Sequence, residues 1–256
     1  MIEATTDHGA IRLGVQVAPG RARVTASGAR LSPRVLRVAD AGAVMTMVAT
    51  GALLLGGDHL RVQVDVGPGA WLEVREIAGT VAYDAGGVPS SYSVEARVGA
   101  GGRLLWDGEP FVVADGAATT RSHTIDLGPG AVAVVRDVLV LGRHGEVGGA
   151  LRSRTDVRMS GRPLLVEELD LTDPGHRRRP GLLGGYRVVD SALVLGDRAL
   201  QDGVRAGAPP GSWFDLAGPG TVVRDLVDDT ASSRLHQWWP ELRQLARPPI
   251  PVAGPA

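Results

Sequence analysis

The side chains best suited to binding a metal ion are six histidines, which lie far apart at positions 8, 59, 123, 144, 176 and 236. No two of them have the spacing of a metal motif such as H-x3-H or H-E-x-x-H. His144 precedes Glu146 by two residues, and this pair offers one imidazole and one carboxylate for weak or transient binding of a borderline cation. His8, His123 and His176 are each expected to be solvated loop residues.

Pairs of carboxylates are the second group that could do chemistry, and they occur at residues 107 and 109, 167 and 168, and 228 and 229. A glycosidase needs two carboxylates across a cleft that aromatic side chains line, and this chain has only five Trp, three Tyr and two Phe. The nucleophile elbow G-x-S-x-G and the phosphate-binding motifs GxGxxG and GxxxxGK[ST] are missing. These tests argue against an enzyme.

Charge and composition exclude further classes of protein. The chain of 256 residues has 27 basic and 28 acidic residues, so no basic excess supports binding to nucleic acid or to an anionic membrane. It has neither cysteine nor lysine, which excludes disulfides, thiolate metal sites and lysine nucleophiles. Residues 1–7 lack the basic and apolar regions of a secretory signal, so a cytoplasmic location is expected.

Alternation of apolar and polar residues predicts strands with one buried and one solvated face. The pattern occurs over residues 60–66, 92–98 and 151–159. Residues 131–141 are almost continuously apolar, which is typical of a strand covered on both faces. Arg136 and Asp137 interrupt this run, either as a self-satisfied structural pair or as a functional pair. We therefore expect an all-β architecture over about the first 195 residues.

Three similar glycine turns repeat along the chain and begin at Gly67, Gly99 and Gly128, at intervals of 32 and 29 residues. Each joins a predicted strand to the next apolar run, and glycine supplies the positive φ that tight turns need. A repeat of about 30 residues indicates stacked β layers, in which each unit buries its apolar face on the next. Ordinary hairpins in a β-sandwich are the alternative that these turns allow.

The C-terminal part of the chain has a different pattern. Residues 228–247 are predicted to form a helical segment, because large apolar side chains such as Trp238 and Leu242 recur at helical spacing. Pro240 is expected to kink or split this helix. Residues 248–256 are expected to be a Pro-rich disordered tail.

Several short segments together have a recognisable order and spacing. They are residues 54–58 (LLGGD), 78–83 (AGTVAY), 104–117 (LLWDGEPFVVADGA), 137–143 (DVLVLGR), 222–226 (VVRDL) and 238–243 (WWPELR). In this order they resemble the landmarks of the urease accessory protein family UreD, also called UreH. The resemblance covers roughly residues 10–247 and identifies the chain as a divergent member of that family.

The resemblance implies a fold and a function. The expected fold is all-β, with stacked β-sheets in a helical, solenoid-like layering, a small C-terminal helical appendage, and a single domain over residues 1–247. The expected function is non-enzymatic: a scaffold that binds UreF, the GTPase UreG and the urease apoenzyme, and that helps to deliver nickel through an internal channel. No tightly bound cofactor is expected, because a conduit has to release its nickel ion.

Candidate site residues follow from this resemblance. The candidates for contacting nickel in transit are Asp137, then Glu167 and Glu168, and His144. The candidates for a partner interface are Trp238, Trp239 and Leu242, although an aromatic stripe at helical spacing is also typical of a core. Two other functions stay open. A β-layered binding or structural module without a metal role predicts no association with urease, and a carboxylate-dependent hydrolase predicts loss of turnover when Asp107 or Glu109 is changed.

Overall fold

The computed structural model describes residues 6–7, 9–197 and 211–246, which form two facing β-sheets and short helices. Sheet A consists of β1 (Thr6–Asp7), β2 (Ile11–Gln16), β3 (Arg23–Ser27), β6 (Asp58–Val66), β9 (Ser90–Val98), β12 (Ala118–Leu127), β14 (Ala150–Met159) and β15 (Arg162–Leu171). Sheet B consists of β4 (Leu31–Val38), β5 (Gly42–Ala49), β7 (Trp71–Glu76), β8 (Thr80–Ala82), β10 (Arg103–Asp107), β11 (Pro110–Val113), β13 (Val132–Leu141), β16 (Val188–Leu195), β17 (Trp213–Asp215) and β18 (Gly220–Val227).

Helices are short in the described part of the chain. They are α1 (Pro174–Arg177), a 3-10 turn (Thr230–Ser232) and α2 (Leu235–Leu245). No helix in these ranges has the length and apolarity that crossing a membrane requires. The tail predicted at residues 248–256 lies outside the described residues.

The chain passes back and forth between the two sheets, and each pass adds a strand to both. In sheet A the central strands run in parallel in the order β12, β9, β6, β2, and in sheet B in the order β13, β10, β7, β5. Antiparallel strands close both ends of each sheet, such as β3 and β15 in sheet A. The stacked, solenoid-like all-β fold and the small C-terminal helix are therefore as predicted.

The glycine turns stack on one another at the corner between the sheets. They are not hairpins, because each joins a strand of sheet A to a strand of sheet B. The backbone N–H of Gly99 donates to the carbonyl of Val66 at 2.7 Å, and that of Gly128 donates to Val98 at 2.8 Å. A Cβ atom on Gly99 would lie 2.7 Å from the nitrogen of Pro68, so the close stacking of turns requires glycine there.

The main core lies between the sheets, and a second apolar cluster lies under α2 on the outer face of sheet B. Alternate residues of each strand enter the main core, as the period of two predicts. Pro240 does not split α2, which runs from Leu235 to Leu245 without a break, so the prediction of a split helix is wrong. The burial of Trp238, Trp239 and Leu242 against sheet B compensates for the single backbone hydrogen bond that proline removes.

Candidate functional site

Asp137 lies in the middle of β13 and points into the space between the sheets, where it meets Arg121 of β12. Arg121 Nη2 is 2.7 Å from Asp137 Oδ1, and both side chains are buried. Arg136 points to the opposite face and pairs instead with Asp190, at 2.7 Å. The interpretation of Arg136 and Asp137 as a pair with each other is therefore wrong, because neighbours in a strand face opposite sides.

His123 is buried beside this ion pair. The prediction of a solvated loop residue is wrong for His123, since it lies two residues after Arg121 on the inner face of β12. Its Nδ1 is 4.0 Å from Asp137 Oδ2. Burial, reinforced by the charge of Arg121 and opposed by that of Asp137, lowers the pKa of His123 to about 4. The imidazole is consequently uncharged at neutral pH, the form that binds metal ions.

Charge stabilises the Arg121–Asp137 pair more than hydrogen-bond geometry does. The 2.7 Å contact has angles outside those of a hydrogen bond, and the buried Nε of Arg121 has no hydrogen-bond partner among the described residues. Burial alone would raise the pKa of Asp137, but the Arg121 guanidinium outweighs it, so the pKa lies below its ordinary value. Asp137 is thus a buried carboxylate, which is one of the side chains that divalent cations bind.

A second carboxyl group and two aromatic rings also lie near Arg121. The guanidinium carbon lies 4.5 Å from the ring centre of Phe111 and 5.1 Å from that of Tyr92. Glu76, at the end of β7, accepts hydrogen bonds from Trp106 Nε1 at 3.0 Å and from the backbone N–H of Glu109 at 2.9 Å. Burial raises the pKa of Glu76, and the charge of Arg121 opposes that rise.

Polar side chains continue from Asp137 to the far edge of the sandwich. Asp137, Ser191 and Arg224 are register partners on β13, β16 and β18. Arg224 Nε donates to Ser191 Oγ at 2.9 Å, and its two terminal nitrogens donate to the carboxylate of Glu167 at 2.8 and 2.7 Å. We call these polar residues together the interior row: Glu76, Arg121, His123, Asp137, Ser191, Arg224 and Glu167.

Both ends of the interior row reach the protein surface. A pocket of about 140 Å³ is lined at one end by Glu76 and Tyr92, together with apolar residues such as Met47 and Ile77. At the other end the side chain of Glu167 is 30% exposed. Polar and charged groups of the row therefore lie in the core between a surface pocket and a solvent-accessible carboxylate.

The structure brings Asp137 and Glu167 into one row, but not the other two candidates for nickel contact. Glu168 lies on the exposed outer face of sheet A and pairs with Arg154 at 3.2 Å. His144 is exposed in the loop after β13. Within the described ranges, no group of three His, Cys, Asp or Glu side chains is arranged to hold a metal ion. The row suits passing contacts rather than a closed site.

The candidate interface residues on α2 are covered by sheet B in the isolated chain. Trp238, Trp239 and Leu242 are buried, and Trp239 Nε1 donates to Asp107 Oδ1 at 2.7 Å. They would form a partner surface only if α2 left the sheet. Asp107 thus anchors a helix, while Glu109 is exposed, so this pair does not face across a cleft.

The sequence did not single out four residues of the row: Glu76, Arg121, Ser191 and Arg224. It singled out His123 only as a solvated loop residue. Arg121 and His123 lie at the same alternate positions as the apolar residues Ile125 and Leu127, which identify the inner face of β12. That alternation was available in the sequence. Their partner Asp137 comes from the opposite sheet, and no spacing along the chain indicates that contact.

Comparison with known proteins shows the family of this chain. The family model of the UreD urease accessory protein matches residues 7–253. Urease accessory protein UreD 1 of Streptomyces griseus subsp. griseus is 49% identical over 82% of this chain and 80% of its own length. Urease accessory proteins UreD of Frankia alni and Frankia casuarinae are 37% and 31% identical, over 77% and 98% of this chain and 74% and 84% of their own lengths. The chain belongs to the UreD family of urease accessory proteins.

Proposed function

We propose that this chain is a non-enzymatic scaffold that helps to load nickel into the urease apoenzyme. It acts in a complex with UreF and UreG, and the nickel ion passes along the interior row. Family membership supports the link to urease maturation. The observation that carries the route is Asp137, a carboxylate buried between the sheets within a row of polar groups that reaches the surface at both ends.

The chemistry of the row supports a cation in transit. Carboxylates and a neutral imidazole are ligands that Ni²⁺ accepts, and the row offers them singly or in twos rather than as a complete coordination shell. An ion that met a full set of ligands would stay bound, whereas a conduit needs contacts weak enough to release it. Asp137 and Glu167 are the two carboxylates of the row that we expect to touch the ion.

Two neighbouring residues on β15 provide a matched test of the route. Glu167 faces the interior and Glu168 faces solvent, so Glu167→Gln and Glu168→Gln make the same chemical change on opposite faces of one strand. Urease is to be expressed with its full set of accessory proteins, and its nickel content and activity measured for each variant. We expect E167Q to lower both about tenfold, the effect of weakening one contact with a charged group. E168Q should leave both unchanged.

Three further measurements define what would contradict the proposal. Without this chain, urease should accumulate as folded apoenzyme, and unchanged nickel content would remove the maturation role altogether. Equal nickel loading with E167Q and wild type would remove Glu167 from the route. Co-purification of each variant with UreF separates loss of the route from loss of the complex, because E167Q should still bind UreF. A chain that binds neither UreF nor urease would be a β-layered module without a metal role.

A further inference from the structure

Each carboxylate that we place on the nickel route is already paired with an arginine from the opposite sheet. Arg121 of sheet A holds Asp137, and Arg224 of sheet B holds Glu167. A cation that approaches either carboxylate has to compete with a guanidinium, and like charges repel strongly where water is excluded. The arginines therefore influence which cations can use the row.

We propose that Arg121 is a selectivity gate on this route. When no metal ion is bound, its guanidinium keeps hard cations away from Asp137. The ion pair with Asp137 breaks only for a divalent ion that His123 also binds. This inference rests on the nickel route proposed above. The position of Arg121 supports it, because Tyr92 lines the surface pocket and the guanidinium of Arg121 packs on the same ring. The pocket is therefore connected to Arg121 through the ring of Tyr92.

Arg121 is held by fewer hydrogen bonds than Arg224. Arg224 donates three well-aligned hydrogen bonds, two to Glu167 and one to Ser191. Arg121 contacts Asp137 outside hydrogen-bond geometry and leaves its Nε without a partner in the described structure.

Asp137 is not the only group that holds the guanidinium of Arg121. The faces of Phe111 and Tyr92 attract the cation, and the charge of Arg121 also acts on the carboxyl group of Glu76. Arg121 can therefore leave Asp137 without becoming an isolated buried charge.

His123 explains why nickel opens the gate and magnesium does not. A first-row divalent ion lies about 2 Å from an imidazole nitrogen or a carboxylate oxygen, so two donors up to roughly 4 Å apart can share one ion. His123 Nδ1 and Asp137 Oδ2 are 4.0 Å apart. Ni²⁺ gains from the imidazole, whereas Mg²⁺ prefers oxygen ligands and keeps its water. We therefore expect Ni²⁺, and not Mg²⁺, to offset the loss of the ion pair.

Equilibrium dialysis of Ni²⁺ against the purified full chain tests the gate, with and without millimolar Mg²⁺. We expect Arg121→Gln to bind Ni²⁺ about tenfold more tightly than wild type, because one charge-assisted competitor has been removed. We also expect Mg²⁺ to weaken nickel binding by R121Q and not by wild type. The matched control is Arg61→Gln, which removes the arginine partner of Glu95 on the exposed face of sheet A and should bind nickel like wild type.

The expected gain in nickel affinity has to depend on Asp137, and it has to be measured on a folded variant. The double variant R121Q/D137N should lose the gain, and a gain that persists there would overturn the gate. If R121Q does not fold, Arg121→Lys is the variant that tests the gate. Lysine keeps the positive charge but lacks the planar guanidinium and its stacking on the rings. R121K should show a smaller gain and partial sensitivity to Mg²⁺. Nickel affinity equal to wild type in the folded variant would overturn the proposal.

Failure of the gate and failure of the route give different results. If E167Q lowers the nickel content of urease while R121Q binds nickel like wild type, the route stands and the gate is wrong. In the opposite case, R121Q gains nickel affinity and becomes sensitive to Mg²⁺, while urease is loaded normally with E167Q. Arg121 then controls access to Asp137, but the proposal that nickel passes Glu167 is wrong.

Discussion

Arg121 of sheet A and Asp137 of sheet B form an ion pair at 2.7 Å across the interior of the sandwich, with both groups buried. The pair joins the two sheets where an apolar contact would also fill the space. Taking two charges out of water is costly, and well-packed apolar residues are often at least as stabilising. The proposed route would give this costly pair a functional role.

Removing one partner of this pair should destabilise the fold much more than removing both. We expect Asp137→Ala to lower the free energy of unfolding by about 3–5 kcal/mol, because Arg121 is left as a buried, unpaired charge. The double variant R121A/D137A should lose less than the sum of the single variants. Urea unfolding at pH 7 measures all of these changes.

The control for this cycle is the ion pair between Arg61 and Glu95 on the outer face of sheet A. Both side chains are about half exposed, so each alanine variant should change the free energy of unfolding by about 1 kcal/mol or less. Additive losses for Arg121 and Asp137, as for two independent sites, would show that the buried charges are not coupled.

His123 should make the stability of the fold depend on pH between about 6.5 and 4. Its pKa is about 4 in the fold, against an ordinary value of 6.5, because burial disfavours the charged ring. Below pH 6.5 the imidazole binds a proton in the unfolded chain but not in the folded chain. The free energy of unfolding therefore falls by up to about 3 kcal/mol by pH 4.

The variant His123→Gln removes this titration and should flatten that part of the pH profile. Urea unfolding at intervals between pH 7 and pH 4 measures the profile. His144→Gln is the matched control, because His144 lies in an exposed loop. A profile for H123Q as steep as that of wild type would contradict the assignment of a buried, neutral imidazole.

The stacked corner turns should tolerate no side chain at Gly99. Gly99→Ala places a Cβ atom 2.7 Å from the nitrogen of Pro68 in the turn below, so the turns must separate. We expect a loss of about 1–3 kcal/mol in the free energy of unfolding, the usual cost of overpacking. Gly51→Ala is the control, since a Cβ atom there has no neighbour within 4 Å. Equal melting temperatures for the two variants would contradict close stacking.

The sequence predicted which residues face the interior better than it predicted how strands pair. Alternation places Leu60, Val62, Val64 and Val66 on the inner face of β6, as observed. Parallel pairing leaves no mark in that alternation, because antiparallel strands show the same period of two. The 30-residue repeat indicated layers, but only the structure shows that each turn crosses between sheets.

The sequence predicted the carboxylates of the candidate site but not its arginines. Asp137 stands out because a charge interrupts an apolar strand. Glu167 and Glu168 are adjacent carboxylates, and the alternation along β15 places Glu167 on the inner face with Leu169 and Glu168 on the outer face. The pairing of Asp137 with Arg121 depends on how the two sheets face each other, which local patterns do not encode.

Leu242 offers the clearest test of whether α2 belongs to the core or to a partner interface. It is fully buried in the cluster between α2 and sheet B. We expect Leu242→Ala to lower the free energy of unfolding by about 2–5 kcal/mol, the cost of a core cavity. The exposed Gln244→Ala on the same helix should leave stability unchanged. Binding of UreF should be compared for both variants at a temperature where each is folded. Loss of UreF binding by L242A without loss of stability would show that the residue serves a partner surface and not the core.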